Sequence, residues 1–287
     1  MSRTQALQRA QAVLDSGALA ATLARRVRYA SESEEPQSAP VLRAYLEQEM
    51  VASLAPLGFQ CRLHENPAAA GLPFLVAERI ESADLPTVLM YAHGDVVRGQ
   101  APQWREGLAP WELRIEGERW YGRGTADNKG QHTIALGALE AVLKARDGRL
   151  GYNITWLIEM GEGAASPGLE AVCAQRRHEL KADLFIASDG PRVRASRPTL
   201  FLGSRGAVNF SLRLKARERA YHSGNWGGVL RNPATELAHA VSTLVDARGR
   251  ILVDALRPPP IDDALRRAVT NLEIGGGADD PELSAGW

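Results

Sequence analysis

Apolar positions along the chain recur with two periods, and the switches between them predict its elements. Leu19, Leu23 and Val27 lie four residues apart, which predicts an amphipathic helix ending before a polar loop at 31–40. Leu42, Leu46 and Met50 repeat that spacing and predict a second helix. Strands are expected at 59–64, 74–80 and 87–93. The last, Thr-Val-Leu-Met-Tyr-Ala-His, is a nearly unbroken apolar run, as in a strand covered on both faces of a sheet. Residues 111–123 alternate around Gly117 and read as a hairpin. A helix follows at 130–146, with Leu136, Leu139 and Leu143 on one face and Gly148 as its stop. A strand at 154–158, a helix at 169–180 and a strand at 182–187 complete this part. Strands alternating with helices predict an α/β fold, a mostly parallel sheet sandwiched by helices.

After Pro198 the pattern changes. Residues 200–216 read as a long strand broken at Gly203 and Gly206. Asn232-Pro233 then opens a helix as N-cap and first-turn proline, with Leu237, Val241 and Leu244 as its apolar face. A domain boundary is expected near residue 197, giving domains at 1–197 and 198–287.

Composition narrows the partners. Lys+Arg and Asp+Glu both number 34, so the formal net charge is +0. That balance argues against nucleic acid or an anionic membrane surface. No run approaches the ~18 apolar residues of a membrane span. The opening stretch from Met1 to Ala12 is polar and lacks a secretory signal, so a cytoplasmic location is expected. Cys61 and Cys173 form no CxxC unit and read as small core residues. Gly275 to Gly277 open a polar segment near the end.

The polar residues that carry chemistry fall at strand ends. His93 and Asp95 close the strand at 87–92, Glu162 follows the one at 154–158, and Asp189 caps the one at 182–187. Ligands of open α/β sheets bind just outside the carboxyl ends of the strands. Asp127 lies in a Gly-rich turn directly before a helix. Each residue alone has a bland explanation: a structural histidine, a helix cap, a turn, a solvated acid. One histidine and several carboxylates on one edge are instead a divalent-metal arrangement, zinc or manganese by donor type. The spacing His93-Gly94-Asp95 lets the aspartate accept the second ring N–H of the histidine. No phosphate-cradling GxxxxGK[ST] loop and no GxGxxG after the first strand support a nucleotide site.

Tyr91-Ala92-His93-Gly94-Asp95-Val96-Val97 and Tyr121-Gly122-Arg123-Gly124-Thr125-Ala126-Asp127-Asn128-Lys129-Gly130 resemble the two signatures of the M20 metallopeptidases. That family includes acetylornithine deacetylase, succinyl-diaminopimelate desuccinylase, carboxypeptidase G and carnosinase-type dipeptidases. Residues 158–169 and 187–190 fall where its third and fourth motifs belong. Tyr221-His222-Ser223-Gly224-Asn225-Trp226-Gly227-Gly228 resembles its lid motif, closest to the dipeptidase branch.

The resemblance implies a zinc-exopeptidase-like catalytic domain with an inserted α+β lid. It makes His93, Asp127 and Asp189 metal ligands, with Asp127 bridging two ions, Asp95 orienting His93 and Glu162 acting as general base. It puts His222 in the lid, reaching across a homodimer to polarise the substrate carbonyl. It also implies a cis peptide between Asp127 and Asn128. The implied reaction is amide hydrolysis of a dipeptide or N-acyl amino acid, with zinc as the expected metal and manganese or cobalt as alternates.

Two departures qualify it. The family's third motif carries adjacent glutamates, base then ligand, whereas here Glu162 is followed by Gly163, so the ligand role is empty or, if a one-residue slip makes Glu162 the ligand, the base role is. The family chain also returns from the lid to supply a last histidine, whereas this one stops at Trp287, C-terminally incomplete by that comparison. One well-held ion is therefore expected, not two. The alternative to an active hydrolase is a catalytically impaired fragment or pseudoenzyme, a dimerising, metal-binding partner.

Overall fold

The computed structural model describes residues 3–190, 199–201 and 206–270. The chain divides into two compact units, Met1–Leu200 and Phe201–Trp287. Residue 197 and the glycine run at 275–277 lie outside the described residues.

In the first unit, α1 (Arg3–Asp15) and α2 (Ala18–Val27) precede a helical stretch made of α3 (Ala39–Ala44), a π-helical segment Tyr45–Met50 and α4 (Val51–Leu54). There follow β1 (Gln60–His64), β2 (Phe74–Arg79), β3 (Thr87–His93) and the hairpin β4 (Arg114–Glu116) and β5 (Arg119–Tyr121). Then come α5 (Lys129–Ala145), β6 (Asn153–Glu159), α6 (Leu169–Gln175) and β7 (Leu184–Ala187). The polar opening of the chain is thus a helix, α1, although none of its residues is buried.

The main sheet has the order β1-β2-β6-β3-β7. β2 runs antiparallel to both β1 and β6, while β3 is parallel to β6 and β7. Four of the five strands therefore share one direction, and the sheet is mixed but mostly parallel. Side chains alternate across it. Ile154, Trp156 and Ile158 of β6 join Leu75 and Ala77 of β2 against Leu42, Leu46, Met50, Leu136, Leu139 and Leu143 on one face. Leu157, Phe74 and Val76 point the other way, against Val172 and Leu180. Each fully buried Leu, Ile, Val, Met or Phe among them contributes about 1.5–3 kcal/mol relative to exposure. Both faces are covered, which is why β6 carries no exposed position.

The second unit holds α7 (Ser223–Trp226), α8 (Pro233–Leu244) and α9 (Asp263–Thr270). α8 starts where the Asn-Pro pair predicts, with the Asn232 side chain accepting the Ala234 N–H at 2.9 Å. The strand expected over 200–216 is absent among the described residues of that range. Val208, Phe210, Leu212 and Leu214 alternate but stand exposed. Alternation makes a strand only where a neighbour closes the ladder, and no described segment does so here. Cys61 is half-buried and packs against the core, whereas Cys173 is exposed and is not the core residue expected. Among the described residues no helix is long and apolar enough to cross a membrane.

Candidate metal centre

β3 and β6 end flush: their parallel register sets His93 opposite Glu159. The turns leaving both strands emerge side by side, and they carry Asp95 and Glu162. β7, on the other side of β3, delivers Ser188 and Asp189 to the same edge. Asp127 arrives from the Gly-rich turn before α5. Gly130 makes that turn feasible, because a Cβ there would lie 1.8 Å from the Thr125 carbonyl oxygen. The Asp127–Asn128 peptide is cis.

Four of the expected residues meet around the His93 ring, itself 2% exposed. Nε2 is 2.8 Å from Asp127 Oδ1, 3.8 Å from Asp189 Oδ1 and 3.9 Å from Glu162 Oε2. One ligand atom from each of His93, Asp127 and Asp189 falls within 4.8 Å of the others. His93, Asp127 and Glu162 border a pocket of about 160 Å³ walled by Val96, Val97 and the 122–126 turn.

Asp95 reaches the His93 ring through two of its atoms. The nearest partner of His93 Nδ1 is the Asp95 main-chain carbonyl at 3.1 Å, with the carboxylate at 3.4 Å. That carboxylate is occupied by the peptide N–H groups of Glu162 at 3.2 Å and Gly163 at 3.0 Å. The main-chain carbonyl and, more distantly, the carboxylate both face the ring, and the same carboxylate holds the neighbouring turn.

The electrostatics suit a cation. Burial alone would push the His93 imidazole down, but Asp127, Asp189 and Asp95 outweigh it and push it up to about 12. The His93 hydrogen bond in turn holds the Asp127 carboxyl below its ordinary range. Burial, then the neighbouring acids, push the Glu162 carboxyl up against the pull of His93. An imidazole nitrogen facing convergent carboxylate oxygens is a donor set that fits a divalent ion.

His222 belongs to the second unit, where it is exposed and its Nδ1 accepts the Gly224 N–H at 3.1 Å.

Several residues of the site escaped the sequence reading. Glu159 is fully buried beneath it and accepts from the Tyr91 hydroxyl at 2.6 Å and Ser166 Oγ at 2.9 Å. Lys129 is buried too, donating to the Tyr29 carbonyl at 2.7 Å, and burial pushes it down to about 7. Asn128 and His132 sit on the core-facing side of α5, four residues apart in line with Leu136. Two polar residues on an otherwise apolar face were the available signal.

The sequence profile described as Peptidase family M20/M25/M40 matches residues 89–282. The chain belongs to that family. It is 30% identical over 262 residues to the beta-Ala-His dipeptidase of Mus musculus, an alignment covering 85% of this chain and 52% of that relative. It is also 30% identical to the cysteinylglycine-S-conjugate dipeptidase of Corynebacterium striatum, covering 72% of this chain and 45% of that one. Among solved structures it resembles the M20 metallo-carboxypeptidase Sso-CP2 of Sulfolobus solfataricus, at 26% identity and a TM-score of 0.69, over 90% of this chain and 57% of that one. This M20 chain thus spans about half the length of the curated relatives it matches. M20 peptidases are metal dependent, and His93, Asp127 and Asp189 form a group that could hold such an ion.

Proposed function

We propose that this site hydrolyses the amide bond of a dipeptide with one divalent ion held by His93, Asp127 and Asp189. The convergence of those three ligand atoms within 4.8 Å carries the reading. The names of the curated relatives, both dipeptidases, favour a dipeptide over an N-acyl amino acid. Zinc suits the mixed imidazole and carboxylate donors best, with manganese or cobalt as substitutes.

When bound, a divalent ion supplies positive charge that polarises an amide carbonyl and acidifies a water. Glu162 takes the proton of the attacking water and returns it to the leaving amine, a role its raised proton affinity favours. Asp95 acts from behind, its carbonyl on the ring of His93 and its carboxylate on the turn that bears Glu162. His222 is assigned to the substrate carbonyl by the family resemblance alone.

Gly163 presents no donor beside Glu162, so a second ion would lean on Asp127 and the base itself. One ion per chain is therefore the expected stoichiometry. Elemental analysis of zinc-loaded, dialysed protein checks it, and two retained ions would overturn it. Glu162→Gln is expected to keep the ion and lower kcat on a dipeptide panel by about 10²–10⁴-fold. The alternative reading, an inert metal-binding partner, gains no support from the relatives. Ion-loaded protein that cleaves no member of a dipeptide and N-acyl amino acid panel would bring it back.

A further inference from the structure

Behind the metal centre runs a chain of buried polar groups that the proposed chemistry does not use. Tyr45, Asn128 and His132 are each 0% exposed. The Tyr45 hydroxyl lies 2.6 Å from His132 Nε2, and His132 Nδ1 lies 3.1 Å from Asn128 Oδ1. On its far side the Asn128 amide donates to Gln131 Oε1 at 2.6 Å, the Ser188 carbonyl at 2.8 Å and, more distantly, Asp189 Oδ1 at 3.3 Å. Gln131 donates to the Gly190 carbonyl at 3.3 Å. The first turn of α5 thus holds three successive residues of the segment that brings Asp189 to the site.

The partners fix the protons. The Ser188 carbonyl can only accept, so Asn128 turns its NH₂ that way and its Oδ1 toward His132. An oxygen facing Nδ1 requires a proton on Nδ1. Nε2 is then a lone pair, and the Tyr45 hydroxyl donates to it. Burial, with the positive charges of Arg26, His93 and Lys129, holds this imidazole well below its ordinary range, so it stays neutral.

We propose that His132 is a positioning residue of the metal centre: its Nδ1–H sets the Asn128 amide, and that amide sets the Ser188 backbone and the Asp189 carboxylate. The inference rests on the reading of Asp189 as a ligand. Groups that orient ligands from behind commonly govern metal affinity by about 10–100-fold.

Two substitutions separate positioning from mere packing, because each keeps one ring nitrogen's role and both remove the same ring. His132→Asn retains a donor near Nδ1 for Asn128. His132→Gln reaches toward Tyr45 and leaves Asn128 Oδ1 without its donor. Zinc affinity of the full chain is read by competition with a chromophoric chelator, alongside circular-dichroism melts. H132Q is expected to weaken zinc about 10–100-fold while H132N stays close to wild type at a similar Tm. Equal affinities in the two variants would overturn the proposal. Wild-type protein that binds zinc no better than His93→Ala would instead remove the metal-centre reading itself. Nitrogen-15 NMR of the unsubstituted protein needs no variant to fold: protonated Nδ1 and unprotonated Nε2 are expected at His132, and the opposite tautomer refutes the chain.

Discussion

Glu159 shows how much a single buried carboxyl can report. One of its oxygens accepts from Tyr91 and Ser166, while Oε2 is buried with no hydrogen-bond partner among the described residues. Burial pushes its pKa up against those two hydrogen bonds. The folded state therefore binds this proton more tightly than the unfolded chain. Its contribution is fully present below the ordinary glutamate value of 4.5 and is lost as pH rises through the raised one. Glu159→Gln stays neutral throughout, so its Tm is expected to fall less than that of wild type as pH rises from the ordinary glutamate value through the raised one. Parallel scanning calorimetry of the two proteins checks this, and identical slopes would contradict it. Gly163 is the other informative residue. A Cβ there would approach Ser33 Oγ at 3.0 Å, a buried hydroxyl without a hydrogen-bond partner among the described residues, which can rotate aside. Gly163→Glu is expected to fold and to show a second, weaker ion by zinc titration. An unchanged single-site isotherm counts against that assignment.

At the scale of elements, the π-helical segment Tyr45–Met50 meets the turn after β3. A Cβ on Gly94 would lie 2.5 Å from the Tyr45 ring and 2.8 Å from Met160 Sδ. Gly94→Ala is thus an overpacking change, expected to cost about 1–3 kcal/mol in urea unfolding. It also pushes on the ring that donates to His132. Most of the main sheet and its covering helices were legible because each presents a repeated apolar face. The direction of β2 was not, since a run of apolar residues carries no arrow. The π segment was not legible, because Leu42, Leu46 and Met50 repeat every four residues just as Leu19, Leu23 and Val27 do around the ordinary helix α2. α1 was invisible because it buries nothing. The segment at 208–216 alternates as a strand does, but among the described residues nothing pairs with it. At the site, the residues at strand ends could be read from position. The groups behind them could not, because Glu159 looked like part of a strand and His132 like part of a helix.

For the whole molecule, a bound ion would fasten together parts far apart in sequence. Its three candidate ligands come from the end of β3, the turn before α5 and the segment after β7, all in the first compact unit. Binding to the folded form alone adds about 2.7 kcal/mol at a free ion concentration 100 times Kd. For a domain of this size that corresponds to a rise in Tm of roughly 5–11 °C. Zinc is therefore expected to raise one calorimetric transition, and chelator to lower it by the same amount. A profile indifferent to both would place the ion outside the fold's cooperative unit.

The clamp made by Asp95 has a last consequence. It grips main-chain amides at 162 and 163, which every residue except proline supplies. The loop's shape is thereby insulated from its side chains. Substitutions at those two positions can rewrite reactivity while the scaffold stands still, so gain or loss of a ligand there is a single-codon event.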